Sequence, residues 1–118
     1  MILVDTSIWV DHLRKSNRDL VYLLEQSQVL VHPWIIGELA CGNLANRKDL
    51  LMLFSSMPAV RVVSDEEVFE LIEARRLFGK GVGWVDMHLL AAAIIEDIKL
   101  WTGDNKLKGI AASLGVAF

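Results

Sequence analysis

The chain has 118 residues, 53% of them hydrophobic, and a formal net charge of −3. That length is one domain, and its longest uninterrupted apolar stretch, Leu89–Ile95, is far short of the roughly 20 residues a membrane span needs. The negative balance argues against a protein that holds nucleic acid by charge alone, because phosphate affinity comes from Lys and Arg, but it leaves open a nuclease whose metal ions bring positive charge to the site.

Met1–Val4 reads as a buried strand, and a carboxylate, Asp5, follows it at once. Thr6–Arg14 reads as a helix, with Ile8, Trp9 and Leu13 at helical spacing. Ser16 or Asn17 caps a second helix that turns Leu20, Leu23 and Leu24 inward. Val29–His32 is a short strand. Pro33 opens a third helix carrying Ile35, Ile36, Leu39 and Ala40, with Gly42 as its stop. Asn46–Met57 is a helix ended before Pro58, and Val60–Val63 a strand. Ser64–Glu67 spells a capping box for a helix running to about Phe78. Gly79–Gly83 is a loop. Trp84–Glu96 is the most apolar helix, followed by the strand Ile98–Trp101 and the turn Thr102–Asn105. Lys106–Leu114 is the last helix, Gly115 its stop, and Val116–Phe118 a final edge strand.

Strands alternating with helices predict an α/β fold with a parallel sheet covered on both faces. Ligands of such folds sit outside the carboxyl ends of the strands. Asp5 and Asp104 stand there. Glu38 is the only acid on an apolar stretch from Trp34 to Ala40, and Asp86 starts the most hydrophobic helix. Each acid has a plainer reading: Asp5 as a helix cap, Asp86 as a partner of the helix dipole, Asp104 as a turn residue. The functional reading rests on all four together. Buried carboxylates are costly unless paired or bound to metal, so four in apolar settings predict one shared pocket. A divalent cation relieves their repulsion, and oxygen-only ligands select Mg²⁺ or Mn²⁺. Relief of that repulsion also predicts that Asp5→Asn holds or raises stability.

The other features have modest readings. "GKGVG" lacks the spacing of a phosphate loop and reads as a flexible rim. His12, His32 and His88 show no metal-ligand spacing and read as ordinary surface or core histidines. Cys41 reads as a packed thiol; being alone, it forms no internal disulfide and fits a reducing cytoplasm. Trp9 and Trp34 read as core or interface packing. Two basic clusters, Arg14, Lys15 and Arg18, and Arg75, Arg76 and Lys80, read as solvated faces. No signal peptide is expected, since the start lacks a basic segment and cleavage site. The mean hydropathy of +0.40 exceeds what a core this small hides easily and predicts a homodimer. Ile8, Trp9 and Leu13, or the helix Asn46–Met57, are the candidate surfaces.

Four stretches carry a family resemblance: "ILVDTSIWVDHLR", "IGELACG", "GVGWVDMHLLAAA" and "LWTGDNKL". On them the whole chain resembles PIN-domain ribonucleases, and most of all the VapC-type toxins of toxin–antitoxin pairs. The resemblance implies a three-layer α/β/α sandwich and an Mg²⁺- or Mn²⁺-dependent endoribonuclease acting on an RNA substrate. It also implies a cognate antitoxin lying over the active site. Asp5 and Asp86 are the implied metal ligands, Glu38 and Asp104 complete the acidic pocket, and Thr6 and Thr102 are supporting hydroxyls. Two rival enzymes fit less well. A Mg-dependent phosphatase of the haloacid-dehalogenase kind wants an acid where Ser7 stands. A response-regulator receiver wants an acidic pair at the end of the first strand. The rival outside enzymology is a catalytically inactive PIN-like interaction module.

Overall fold

The structure, a computed structural model, describes residues 1–118. Three parallel strands, β1 (Ile2–Val4), β2 (Val29–Leu30) and β3 (Lys99–Trp101), lie in the order β2-β1-β3. Seven helices accompany them: α1 (Thr6–Arg14), α2 (Arg18–Glu25), α3 (Pro33–Ala40), α4 (Arg47–Ser56), α5 (Asp65–Arg75), α6 (Trp84–Ile95) and α7 (Asn105–Ser113). This is the α/β sandwich that the alternation predicts. Central β1 is buried throughout, so it reads as an unbroken apolar run, as a strand packed on both faces must. Leu3 lies opposite both Leu30 and Leu100. One step on, the Asp5 N–H donates to the Trp101 carbonyl at 2.9 Å. The sheet itself thereby fixes where Asp5 stands.

Local chemistry explains most element boundaries. Asn17 Oδ1 accepts from the Leu20 N–H and caps α2. Pro33 occupies the first turn of α3, where its missing N–H costs nothing. At α5 the Glu67 N–H donates to Ser64 Oγ, the N-cap half of the capping box, and the Ser64 hydroxyl in turn donates to Glu67 Oε1. In α6 seven consecutive residues, Met87–Ala93, are buried, as expected of a helix apolar all round. Gly115 has φ +76°, a left-handed conformation that suits glycine and ends α7.

Several expectations need correction. Val60–Val63 is not a strand. Only Ala59 bridges to Val31, with the Val60 N–H donating to the Val31 carbonyl. His32 already turns into α3, so β2 offers no partner beyond Val31. Val116–Phe118 does reach the other edge of the sheet, but through a single bridge between Ala117 and Leu100. Helix α5 stops at Arg75 rather than near Phe78 because Arg76 takes a left-handed conformation, φ 53°. Ile8 and Trp9 belong to the core, which removes them as a dimer surface. Trp9 instead meets Phe54 edge-on at 5.0 Å. Cys41 is exposed, not packed, at the carboxyl end of α3. His32 and His88 are fully buried core histidines, as read from sequence.

Candidate active site

Three of the four acids stand at helix amino termini. Asp5 is the N-cap of α1, with Oδ1 accepting from the Thr6 N–H at 2.8 Å. Asp86 lies in the first turn of α6, where Oδ2 accepts from the Gly83 N–H at 3.0 Å. Asp104 is the N-cap of α7, with Oδ1 accepting from the N–H groups of Lys106 and Leu107. The local capping roles are therefore real, and helix dipoles favour the negative charge at all three places. Capping alone does not explain why three helices aim their acidic ends at one another.

A hydroxyl network ties Asp5, Glu38 and Asp104 together. Asp5 Oδ2 accepts from Thr102 Oγ1 at 2.7 Å and from Ser7 Oγ at 3.1 Å. Thr102 Oγ1 in turn accepts from the Asp104 N–H, and Ser7 Oγ from the Gly103 N–H. The turn after β3 is thus fastened to the end of β1 at two points. Thr6 Oγ1 donates to Glu38 Oε1 at 2.8 Å, which brings α3 into the same constellation. Thr6 and Thr102 are the supporting hydroxyls that the family resemblance implies. Ser7, whose place two residues after Asp5 is the only signal for it, and the backbone N–H groups of Gly83 and Gly103 join them without having been expected.

Asp86 senses the charge of two of the other acids. Burial raises the Asp86 carboxyl above the usual carboxylate range, the Gly83 N–H pulls it back, and the charges of Asp5 and Asp104 raise it further. Burial differs from the expectation of four sheltered acids. Asp5 is buried and Asp86 half-buried, while Glu38 and Asp104 are exposed. Glu38 sits between Ile35 and Leu39, which take the core face of α3 and turn it outward. Asp104 caps a surface helix.

No three acid, His or Cys side chains converge closely enough to form a ready-made metal cage. The donor chemistry nevertheless fits a hard cation. The structure's one close contact between an acidic and a basic side chain, His88 with Asp65, lies elsewhere, so no Lys or Arg pairs with the four carboxylates. Asp86 Oδ1, Asp104 Oδ2 and Glu38 Oε2 all lack a protein hydrogen-bond partner. An anionic cluster of oxygen donors with free lone pairs is what Mg²⁺ or Mn²⁺ requires.

A sequence profile described as "PIN domain" matches residues 2–113. The protein "Ribonuclease VapC32" of Mycobacterium tuberculosis, from strains CDC 1551 / Oshkosh and ATCC 25618 / H37Rv, is 43% identical over 118 residues. The match spans 99% of this chain and 95% of the relative.

Proposed function

Because the chain belongs to the PIN-domain family, we propose that it is a metal-dependent endoribonuclease and the toxin of a toxin–antitoxin pair. The observation that carries this reading is the quartet Asp5, Glu38, Asp86 and Asp104, unpaired with any protein cation at the carboxyl rim of a parallel sheet. Asp5 and Asp86 hold the ion, Mg²⁺ or Mn²⁺. An ion held there would supply Lewis-acid chemistry at the scissile phosphate and would offset the charge developing on its oxygens.

The chain's own residues supply position and proton transfer. Three donors hold the Asp5 carboxylate in one orientation, so it enters the reaction without reorganising. Glu38 and Asp104, exposed at the rim with free oxygens, are placed to take the proton of the attacking water. The test is cleavage of RNA with Mn²⁺ or Mg²⁺, with EDTA as control, by the protein and by Asp5→Asn. Cleavage by the variant at the full rate would overturn the metal-ligand assignment. No cleavage by the parent protein with either ion would favour the inactive interaction module.

The partner reading follows from the same site. A groove of about 570 Å³ starts at Thr6 and Glu38 and runs between Val10, Leu13, Leu39 and Leu44. An antitoxin tail lies there with its apolar side in the groove and an Arg over the acids, whose planar fork matches carboxylates. Metal and tail then compete. Titrating the tail at low and high Mn²⁺ checks this, and equal affinity in both would place inhibition elsewhere. Met52 and Leu53 on α4 are exposed, which supports α4 over α1 as the surface of a homodimer; light scattering of Leu53→Glu tests it. The free thiol of Cys41 suits a reducing cytoplasm.

A further inference from the structure

Beside the acids lies a cleft of opposite charge. Arg75 at the end of α5, Lys80 in the glycine-rich loop and Lys106 in the first turn of α7 line a depression of about 420 Å³, together with Asn105 and Ser113. In sequence, Arg75 and Lys80 belong to a basic cluster that reads as a solvated face. The fold adds Lys106 from a different element and closes the group into a concave site. None of the three cations has a carboxylate within ion-pair distance, although the chain holds 15 acids against 12 Lys and Arg. Like charges gathered in a recess repel one another, and a counter-charge from outside the chain relieves that.

The loop geometry holds Lys106 in place. Gly81 has φ +79°, and a Cβ there would lie 2.9 Å from Lys106 Nζ and 3.0 Å from its Cδ. The lysine side chain therefore runs along bare backbone, and any other residue at position 81 would push it aside.

Both walls of the cleft lead directly into the acid site. The Gly79–Gly83 loop ends where the Gly83 N–H holds Asp86. On the other wall, the Lys106 N–H donates to Asp104 Oδ1 at 2.9 Å. Two residues of chain span at most about 7 Å, so the cationic cleft begins immediately beside the carboxylates. An electrostatic boundary of this kind orients a polyanion: one phosphate over the acids needs metal, and the next finds lysine.

On the reading of the acids as a nuclease site, we propose that this cleft binds the backbone phosphates of single-stranded RNA next to the scissile bond, with Lys106, Lys80 and Arg75 as positioning residues. Recognition is by charge, so it tolerates any base sequence.

The experiment measures binding and cleavage separately. Binding of a short fluorescein-labelled oligouridylate is followed by anisotropy in EDTA across a salt series. For single strands the logarithm of affinity falls with the logarithm of salt by about 0.7 per phosphate contact. The Lys80→Ala/Lys106→Ala variant should therefore lose about 1.4 from that slope, with weaker binding at low salt. Lys106→Arg should restore its share, because the charge returns. Lys15→Ala/Arg18→Ala, from the other basic cluster, should keep the parent slope. Circular dichroism confirms that each variant is folded. An unchanged slope in the folded Lys80/Lys106 variant would overturn the proposal, as would displacement of the oligonucleotide by an equal concentration of inorganic phosphate. Cleavage with Mn²⁺ reports on the nuclease reading by itself: its absence in the parent protein, with the binding slope still dependent on Lys80 and Lys106, would remove the nuclease and leave the phosphate cleft.

Discussion

His32 should make this protein acid-labile, and the size of the effect can be worked out. Its ring is fully buried and caps α3, with Nδ1 accepting from the Trp34 N–H at 3.0 Å. Protonating Nδ1 would set one N–H against another, and the charge would sit beside His88, whose ring centroid is 6.5 Å away. Burial first, then the His88 charge, lowers the pKa from 6.5 to about 4. Between those values the unfolded chain binds a proton that the folded chain refuses. Stability is therefore complete above pH 6.5, falls as the pH drops, and loses its full share below about pH 4. At about 1.4 kcal/mol per unit, the loss approaches about 3 kcal/mol, a large part of the roughly 5–15 kcal/mol that holds a domain together. The assay is urea unfolding at pH 8, 6.5 and 5, on the protein and on His32→Asn. Asn keeps an acceptor for the Trp34 N–H but does not titrate. The variant should be weaker at pH 8, because it leaves a small cavity, and should show a flatter dependence on pH. The same pH slope in both proteins would refute the argument. Since His32 caps the helix that carries Glu38, loss of activity on acidification should accompany loss of stability.

Asp86→Asn should raise stability at neutral pH, because the charged form of Asp86 is disfavoured by burial and by its acidic neighbours, while RNA cleavage is lost; a lower melting temperature would contradict this. Asp5→Asn should do the reverse to stability. Three donors hold its charged carboxylate, and weakening them costs about 1–3 kcal/mol, measurable by denaturant midpoint. Mn²⁺ at ten times its dissociation constant should add about 1.4 kcal/mol of stability by mass action, seen as a thermal shift that Asp5→Asn diminishes. A shift of equal size in that variant would move the ion away from Asp5.

The sequence carried the fold where the local signal and the tertiary demand agree. Thr6–Arg14 forms α1 within its predicted bounds because the strand ends on a capping Asp and the apolar spacing is helical. The signal failed where pairing decides. Val60–Val63 is β-branched enough to read as a strand, yet β2 turns away before reaching it. The four acids were legible as a set, but their burial was not. The direction in which α3 presents Glu38 depends on which face meets the core. The expected gain from Asp5→Asn is transferred to Asp86 for a similar reason. Ser7 and Thr102 satisfy the first acid, and only the folded chain brings that second hydroxyl to it. Lys106 joins Lys80 only through the packing of α7 against the loop, which no local pattern announces.

Thr102 Oγ1 and Asp5 Oδ2 are 97 positions apart in sequence and 2.7 Å apart in space. During synthesis Asp5 emerges early, and Thr102 must wait for β3. Until then Asp5 lacks the Trp101 carbonyl that anchors its N–H, and the turn bearing Asp104 does not yet exist. At about 5–20 residues per second, the chain spends most of its time on the ribosome without a competent centre. Ribosome-stalled chains ending at Leu100 should cleave no RNA, whereas released full-length chains should. A cell making this protein thus meets its hazard all at once and late, and an inhibitor translated alongside it has that interval in which to be ready.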